Sequence, residues 1–494
     1  MEILTQEQAF LKGESKLESL IDLVKQSATR RRAINEVEED LWQGLLAIGK
    51  ELLQGFVDIH GSGDLGPTLE YDGRTRKRLP TLHSRRYVSV FGPLKITRTI
   101  YGTRETQKHE IVPLDAQLNL PDGDFSYLLQ SWDQALCVQS SYSKSKETIR
   151  NILGVGQSVR GLEHMSRSMQ GSVGPFRDSY VPPPAKEEGS ILVVTADGKG
   201  VPMRRKEDQE APQGRLKKGE KASKKRSACV GVVYTVDQFA RTADDVVDEV
   251  MRKKKAKQRP RPCHKQMRAE LTREIDGQEV KGKELTFGWF EEQIKLRNPD
   301  GAKPVVCLMD GERALQKRWK LHLQGATCIL DLYHVMERIW DAGHCLFPEG
   351  SKEAAAFVTK TLRGLLSGNV GRVIGGIKQM ATKRELKGGR KHRLQKALQY
   401  LDNNRQFMKY DEYLRAGYPI GSGVVEGACR HLVKDRMELT GMRWTTGGAQ
   451  AVLDLRAIYI NGDWEDFQAL RIKAESNRLY PYCKDISLNL RAAG

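Results

Sequence analysis

Two parts of the chain differ in how their apolar and polar residues alternate. Between positions 31 and 58, apolar residues recur at intervals of three and four, which predicts a long amphipathic helix. Residues 85–102 hold two β-rich runs around Gly92 and Pro93, which predicts a hairpin. Basic side chains expected at its surface are Arg85, Arg86, Lys95 and Arg98. Residues 141–165 form two short amphipathic halves separated by glycines, the outline of a helix-turn-helix.

The pattern changes after a proline cluster at 181–190, which predicts a domain boundary. Short apolar runs typical of buried strands follow. We expect three adjacent strands from ILVVTAD, GKGVPMRR and SACVGVVYTV, then a helix over 285–296 and strands over 303–310 and 326–331. This order predicts an α/β arrangement. Residues 335–415 are rich in helix formers and are interpreted as an inserted helical subdomain.

These shifts divide the chain into four predicted segments. The first, 1–180, is mainly helical and contains the hairpin and the helix-turn-helix candidate, which make it the candidate DNA-binding region. The second, 181–334, is the first part of an α/β domain with basic loops. The third, 335–418, is the helical insertion, and the fourth, 419–494, holds the helix of Glu426 and a C-terminal helical part.

Charge adds a class of partner to this picture. The 494 residues include 81 Lys and Arg against 63 Asp and Glu, a net charge of +18, which favours contact with a polyanion such as nucleic acid. Two runs concentrate the excess: 204–226 has ten basic residues and four acidic ones, and 251–268 has nine and none. Such runs are usually solvated loops, but two of them on one sheet could follow a phosphate backbone, with Lys253, Lys254 and Lys255 as candidate contacts.

Other sequence signals restrict the location and the metal chemistry. The first residues mix acids into their apolar positions, and no apolar run reaches the roughly 18 residues of a membrane span, so we expect a cytoplasmic protein. Eight cysteines lie too far apart for a structural zinc site and are expected to be reduced and mostly buried.

Three acids stand where strand and helix ends can meet. Asp197 and Asp310 follow apolar runs, and Glu426 lies in a helix predicted over 421–437. Magnesium prefers hard oxygen ligands, and converging carboxylates could hold two such ions about 3.5–4 Å apart for phosphodiester chemistry. Taken singly, an Asp after a strand is more often a helix cap or a turn former than a catalytic residue.

Four strings carry a family resemblance that covers nearly the whole chain. VVTADGKGVPM, VCLMDGERAL, ILDLYHVMERIW and PIGSGVVEGACRHLVKDRMELTGMRW resemble the DDE transposases of bacterial insertion sequences, most closely the ISKra group. The resemblance implies a ribonuclease-H-like catalytic domain with Asp197, Asp310 and Glu426 as catalytic residues and metal ligands. It also implies two Mg²⁺ or Mn²⁺ ions and a helical insertion within the 116 residues (426 − 310) that separate the last two acids.

The resemblance further implies the partners. These are double-stranded DNA, both the element's ends and the target, and further copies of the chain in a homodimer or larger assembly on DNA. The expected setting is the bacterial cytoplasm, in association with the nucleoid. The relatives often have paired cysteines near the hairpin, which this chain lacks, so a zinc module is not expected there.

Several neighbours of the three acids are further candidates. Asp331 and His334 form a D-x-x-H step that could serve the active site as accessory residues or simply cap and pack a helix. Residues that could contact DNA phosphates or stack on DNA are Arg430, His431, Lys434, Arg443 and Trp444. Their alternatives are a solvated helix face for the first three and buried packing for the tryptophan.

Three other functions stay open at this point. A nuclease of the same fold would cleave without joining, and a domesticated DNA-binding protein would keep the acids without using them. An RNA-associated protein would explain the charge but not the positions of the three acids.

Overall fold

The computed structural model describes residues 5–102, 111–204, 225–252 and 258–483. The candidate contacts Lys253, Lys254 and Lys255 lie outside these residues, as does most of the basic run 204–226. The chain divides into two compact units, one of Met1–Asp178 with Asp463–Gly494 and one of Ser179–Gly462. The division falls beside the proline cluster, but the last helix groups with the first unit, whereas the sequence prediction had kept it with the glutamate helix.

The helices in the described residues follow in chain order. They are α1 Gln6–Thr29, α2 Ile34–Ile59, α3 Pro113–Gln117, α4 Tyr127–Cys137, α5 Tyr142–Leu153, α6 Val159–Gln170, α7 Val173–Asp178, α8 Ala243–Val250, α9 Gly282–Arg297, α10 Arg313–His322, α11 Leu332–Leu346, α12 Lys352–Leu366, α13 Val370–Lys383, α14 Gly388–Asn403, α15 Tyr410–Arg415, α16 Gly423–Ala428, α17 Asp435–Met437, α18 Thr446–Asn461 and α19 Trp464–Leu479. A π-helix, Cys429–Lys434, joins α16 to α17, and two 3-10 helices cover Ala185–Glu187 and Arg405–Phe407.

Within the described residues, the strands form one large sheet and three small ones. They are β1 Thr68–Tyr71, β2 Arg74–Arg78, β3 His83–Ser89, β4 Gly92–Arg98, β5 Tyr101–Gly102, β6 Ile191–Pro202, β7 Lys225–Val236, β8 Cys263–Leu271, β9 Arg273–Ile275, β10 Gln278–Val280, β11 Val305–Met309 and β12 Thr327–Leu330.

In the first unit, the long amphipathic helix predicted over 31–58 is confirmed as α2, which pairs with α1. Close approach of the two helices depends on small residues: a Cβ at Gly44 would lie 2.4 Å from the side chain of Leu20. The predicted hairpin is confirmed as β3 and β4, whose ladder closes at Ser89 and Gly92. Gly92 has φ +107°, a conformation that favours glycine.

Four basic residues were expected at the surface of the hairpin, but two of them are paired and nearly buried. Arg85 and Arg98 both bind the carboxylate of Asp115, and all three side chains are nearly buried, at 11, 13 and 5% exposure. A buried carboxylate requires such partners, because an unpaired charge in a low-dielectric interior is costly. Arg86 and Lys95 are exposed and face each other across the two strands.

The helix-turn-helix candidate is confirmed as two helices, α5 and α6, which pack on α4. Gly154 ends α5 in the left-handed conformation, with φ +67°, and the Ser158 side chain caps α6 by accepting from the backbone of Gly161. Leu129, Ile149 and Leu153 are buried in one core cluster beneath them. DNA binding by this helix pair stays a prediction.

The second unit is an α/β structure with a five-stranded mixed sheet, followed by a mostly helical part. The strand order is β12-β11-β6-β7-β8. Strands β6, β7 and β8 pair antiparallel, whereas β11 lies parallel to both β6 and β12. Helix α9 packs on β6, β7 and β8, while α16 also packs on β6 and β7 and α18 packs on β8.

Two strand predictions in this sheet are wrong. ILVVTAD and GKGVPMRR are not neighbours, because Ile191–Pro202 is one continuous strand paired along its whole length with β7. The third antiparallel strand is β8, which begins inside the run 251–268 that was interpreted as a loop. Alternation explains this: Met267 and Ala269 are buried, while Arg268 points away and stacks over Trp289 at 4.7 Å.

Helices α11 to α15 follow β12 and precede the α16 turn, as expected for an inserted helical segment. All eight cysteines lie in the described residues, and six of them are buried, which confirms that most are buried. In the part of the chain that the structure describes, no helix has both the length and the apolar character required to cross a bilayer.

Candidate active site at the carboxyl edge of the sheet

Strand register brings three aspartates into one row. Leu308 of β11 pairs with Thr195 of β6. Two residues further along both strands, Asp310 therefore faces Asp197. Met309 pairs with Leu330 of β12, so one residue further Asp310 also faces Asp331. Neighbouring strands lie about 4.8 Å apart, and matched positions point to the same side of the sheet. The three carboxylates therefore share the edge at which β11 and β12 end.

Asp197 occupies this edge differently from the prediction. It does not end a strand, because β6 continues to Pro202 and Asp197 itself pairs with Val230 of β7. It stands instead at the level where β6 loses its parallel neighbour β11. One of its oxygens accepts from the backbone nitrogen of Gly198 at 2.6 Å, and the side chain is partly exposed.

Asp310 is the central acid of the row, and its surroundings disfavour its charge. Burial raises its pKa, and the negative charge of Asp197 raises it further. The backbone nitrogen of Glu312 donates to its Oδ1 at 2.8 Å, and the Tyr400 hydroxyl donates to its carbonyl oxygen. Two like charges at facing positions on adjacent strands favour the binding of a cation between them.

Asp331 is fully buried and serves as the N-cap of α11. Its Oδ2 accepts from the backbone nitrogen of His334 at 3.1 Å and from the ring Nδ1 at 2.6 Å, while its Oδ1 accepts from the backbone nitrogen of Ser422 at 2.6 Å. The hydrogen bond to Asp331 raises the pKa of His334 to about 9, so the imidazole carries a positive charge at neutral pH. Asp331 therefore fits both interpretations of the D-x-x-H step, as a helix cap and as a residue beside the active site.

Glu426 reaches the same place from α16. This helix begins directly after Ser422, whose backbone is held by Asp331 and whose hydroxyl lies 3.4 Å from Glu426 Oε1. One ligand atom each from Asp331, His334 and Glu426 lie within 4.8 Å of one another, so this group could hold a metal ion. With Nδ1 bonded to Asp331, His334 would bind through Nε2 only after the ring loses its second proton, because a charged imidazole has no free lone pair for a metal.

The metal group differs in membership from the predicted trio. Within the described residues it contains Glu426 but neither Asp197 nor Asp310, and its other members are the two residues expected to be accessory. Carboxylate oxygens suit Mg²⁺ and Mn²⁺, whereas an imidazole nitrogen is the softer ligand that other divalent transition metals prefer. The donors present therefore fit a divalent cation without selecting Mg²⁺.

A cysteine that sequence reasoning had treated only as a buried thiol joins the two halves of the site. Cys429 lies three residues after Glu426, and its Sγ donates to Asp197 Oδ2 at 3.5 Å. Burial, together with the charge of Asp197, raises the pKa of Cys429, so it is a protonated donor. Its position one helical turn from Glu426 was the signal that could have identified it.

The basic residues after Glu426 lie on the π-helix Cys429–Lys434, a wider turn inside the segment that was predicted as one helix over 421–437. Arg430, His431 and Lys434 are exposed, but Asp435 pairs with Arg430 at 3.7 Å and with His431 at 3.3 Å. The wider turn alters the angular step between residues and is often found at functional sites. Arg456 Nε donates to the carbonyl oxygen of His431 at 2.8 Å, which satisfies a group in the widened turn.

Trp444 does not have the exposure that stacking on DNA requires, which corrects its assignment as a DNA contact. Its side chain is 8% exposed, its indole donates to the carbonyl of Met437 at 3.0 Å, and Arg436 lies over its ring at 4.9 Å. Its backbone continues the β6 ladder through Pro202. Arg443 is exposed, and its guanidinium donates to the carbonyl of Met442.

No model of a known protein family matches the chain, and no curated protein matches it at a significant level.

Proposed function

We propose that this chain is an insertion-sequence transposase whose ribonuclease-H-like unit cleaves DNA strands and joins them to target DNA. The observation that carries the proposal is the row of Asp197, Asp310 and Asp331 on three adjacent parallel strands, with Glu426 reaching the same edge. The strand order, three antiparallel strands followed by two parallel ones, and the charge of +18 also support it. A binding protein has no physical need to hold so many acids together.

The proposed roles keep the trio that the resemblance implies and add the neighbours that the structure places beside Glu426. Asp197, Asp310 and Glu426 act as the principal ligands of two Mg²⁺ or Mn²⁺ ions. When bound, such ions supply Lewis-acid stabilisation of phosphodiester oxygens and lower the pKa of a bound water. Asp331 orients His334 and the Ser422 turn, and so sets the direction from which Glu426 approaches. The His334 cation offsets the neighbouring carboxylates and is placed to attract a phosphate.

The metal site is tested by titrating the full chain with Mn²⁺ and measuring heat. Asp310→Asn and Glu426→Gln each remove one carboxylate charge, and each is expected to weaken Mn²⁺ binding by at least about tenfold. Asp341→Asn is the matched control, since it removes an exposed acid on α11 that pairs with Arg338. Equal affinity in all four proteins would contradict the site.

The activity is tested on a plasmid carrying the DNA that flanks the gene on both sides. Products in which the ends are joined to target DNA are scored separately from nicks. The proposal expects both products with Mg²⁺ or Mn²⁺, and neither with Asp197→Asn or Asp310→Asn. Nicks without joined products would favour the nuclease alternative, and products that persist in both variants would rule out these carboxylates as catalytic residues.

A further inference from the structure

The helical segment carries a strongly basic surface that lies outside both basic runs of the sequence. Residues 378–399, from the end of α13 through most of α14, contain eight Lys and Arg and one acid, a net charge of 8 − 1 = +7. The basic residues are Lys378, Lys383, Arg384, Lys387, Arg390, Lys391, Arg393 and Lys396. All eight are exposed, and the single acid is Glu385.

Few of these charges interact with other groups in the described part of the protein. Arg384 stacks over Phe347 at 4.2 Å and donates to the carbonyl of Leu346, but the other seven form no ion pair with any described acid. The apolar side of α14, with Leu394, Ala397 and Leu401, is buried, so packing fixes the basic side toward solvent. Like charges crowded on one helix repel each other, and a bound polyanion relieves that repulsion.

The surface is concave. Helices α13 and α14 enclose a groove of about 600 Å³, whose ionisable lining residues are Lys378, Lys391, Lys396 and His392, with one acid, Asp402. A second cavity of about 430 Å³ continues from Lys396 along α14 to Asn403 and to Arg313 of α10. Three lysines converging on a groove form the kind of electrostatic surface that tracks a phosphate backbone.

The groove leads toward the carboxylates. Tyr400 lies one helical turn beyond Lys396, and its hydroxyl donates to the carbonyl oxygen of Asp310. A Cβ at Gly311, the next residue, would lie 2.9 Å from that hydroxyl, so α14 and the end of β11 are in close contact. At 1.5 Å per residue, Lys391 and Tyr400 are about 14 Å apart along the helix, which equals the rise of roughly four base-pair steps along a duplex axis.

We propose that the α13–α14 groove binds the phosphate backbone of double-stranded DNA and guides it to Asp310. The choice of DNA, and the direction toward Asp310, rest on the proposed function. The binding of a polyanion rests on the groove and its charges alone.

The test measures the affinity of the full chain for a fluorescent 30-base-pair DNA duplex at several salt concentrations, without divalent metal. Lys391→Gln/Lys396→Gln removes two groove charges and keeps good helix formers. Lys352→Gln/Lys360→Gln is the matched control, because it removes two exposed charges from α12, outside the groove. Circular dichroism verifies that both variants retain the helix content of the parent.

Each phosphate contact contributes about 0.9 to the slope of log affinity against log salt, so the groove variant is expected to lose about 1.8 from the slope. At 0.1 M salt this corresponds to about 60-fold weaker binding. The control is expected to keep the parent slope. Equal losses in the two variants, or no loss in the groove variant, would overturn the proposal.

An RNA duplex of the same sequence is the second arm. Tighter binding to RNA with the same dependence on Lys391 and Lys396 would overturn the assignment to DNA. Strand cleavage is read separately, with metal, so the two proposals fail independently. If the groove variant keeps the parent slope, the groove proposal is wrong. If the slope falls as expected but no metal-dependent products form, only the transposase proposal is wrong.

Discussion

Asp133 on α4 offers a test of how charge and burial set the stability of the first unit. Its side chain is 1% exposed, and burial raises its pKa to about 7, against about 3.9 in an unfolded chain. Gln157 Nε2 donates to its Oδ2, while its Oδ1 and Gln157 Oε1 are both buried and lack a partner among the described residues. A proton on Oδ1 supplies the donor that these two oxygens lack.

The sign of the pH dependence follows from this shift. The folded protein binds a proton that the unfolded chain has lost, so the contribution is fully present below pH 3.9 and disappears as pH rises to 7. Each pH unit within that window costs about 1.36 kcal/mol, or about 4 kcal/mol over the whole window. In Asp133→Asn, the amide nitrogen takes the place of the acid O–H, and the variant loses this dependence. Its stability relative to the parent is expected to increase by about 2.7 kcal/mol between pH 5 and pH 8.

The assay is hydrogen exchange of the full chain, followed by mass spectrometry on peptides covering α4 and α5 and corrected for the intrinsic effect of pH on exchange. Asp124→Asn, at an exposed acid of the same unit, is the control and is expected to show the same stability difference at both pH values. If Asp133→Asn also differs from the parent by the same amount at pH 5 and pH 8, Asp133 is ionised in the folded protein and the reasoning is refuted.

Two further predictions concern residues for which the structure changed the expected role. Asp115→Ala leaves Arg85 and Arg98 nearly buried without their carboxylate, and should lower the free energy of unfolding by about 3–5 kcal/mol in urea titrations; a loss below 1 kcal/mol would contradict a buried ion cluster. Trp444→Phe removes the donor to the Met437 carbonyl and should cost about 1–3 kcal/mol, with DNA affinity unchanged. A tenfold loss of DNA affinity at unchanged stability would restore Trp444 as a DNA contact.

Local sequence was sufficient wherever the signal depends on neighbouring residues. The three-and-four spacing of apolar residues predicted α2, and Gly92-Pro93 between two β-rich runs predicted the β3–β4 hairpin. It failed where an element exceeded the expected length. Polar residues after Asp197 suggested a new strand, but the ladder with β7 runs through them, because β7 is long enough to pair with all twelve residues of β6.

In the candidate site, too, some residues could be identified from local sequence and others only from the fold. Asp197 and Asp310 were identifiable because each follows an apolar run, and Glu426 because it lies in a predicted helix. The place of Asp331 beside them depends on the register between β11 and β12. Register is set by pairing between strands that are distant in sequence, so no local pattern contains it. The place of Cys429 in the site was likewise not predictable from local sequence, because its partner Asp197 is 232 residues away in the chain.

By itself, then, the sequence determined the alternation of strands and helices, the excess of positive charge and the acids available for metal binding. Tertiary structure alone decided which charges are used internally and which remain for a partner. The sequence predicted that Arg85 and Arg98 are exposed, but in the fold both pair with Asp115. No sequence signal indicated the lysines of α13 and α14 that line a groove. The reason is physical: the free energy of a charge depends on its burial and its neighbours, and both are set by packing between elements far apart along the chain.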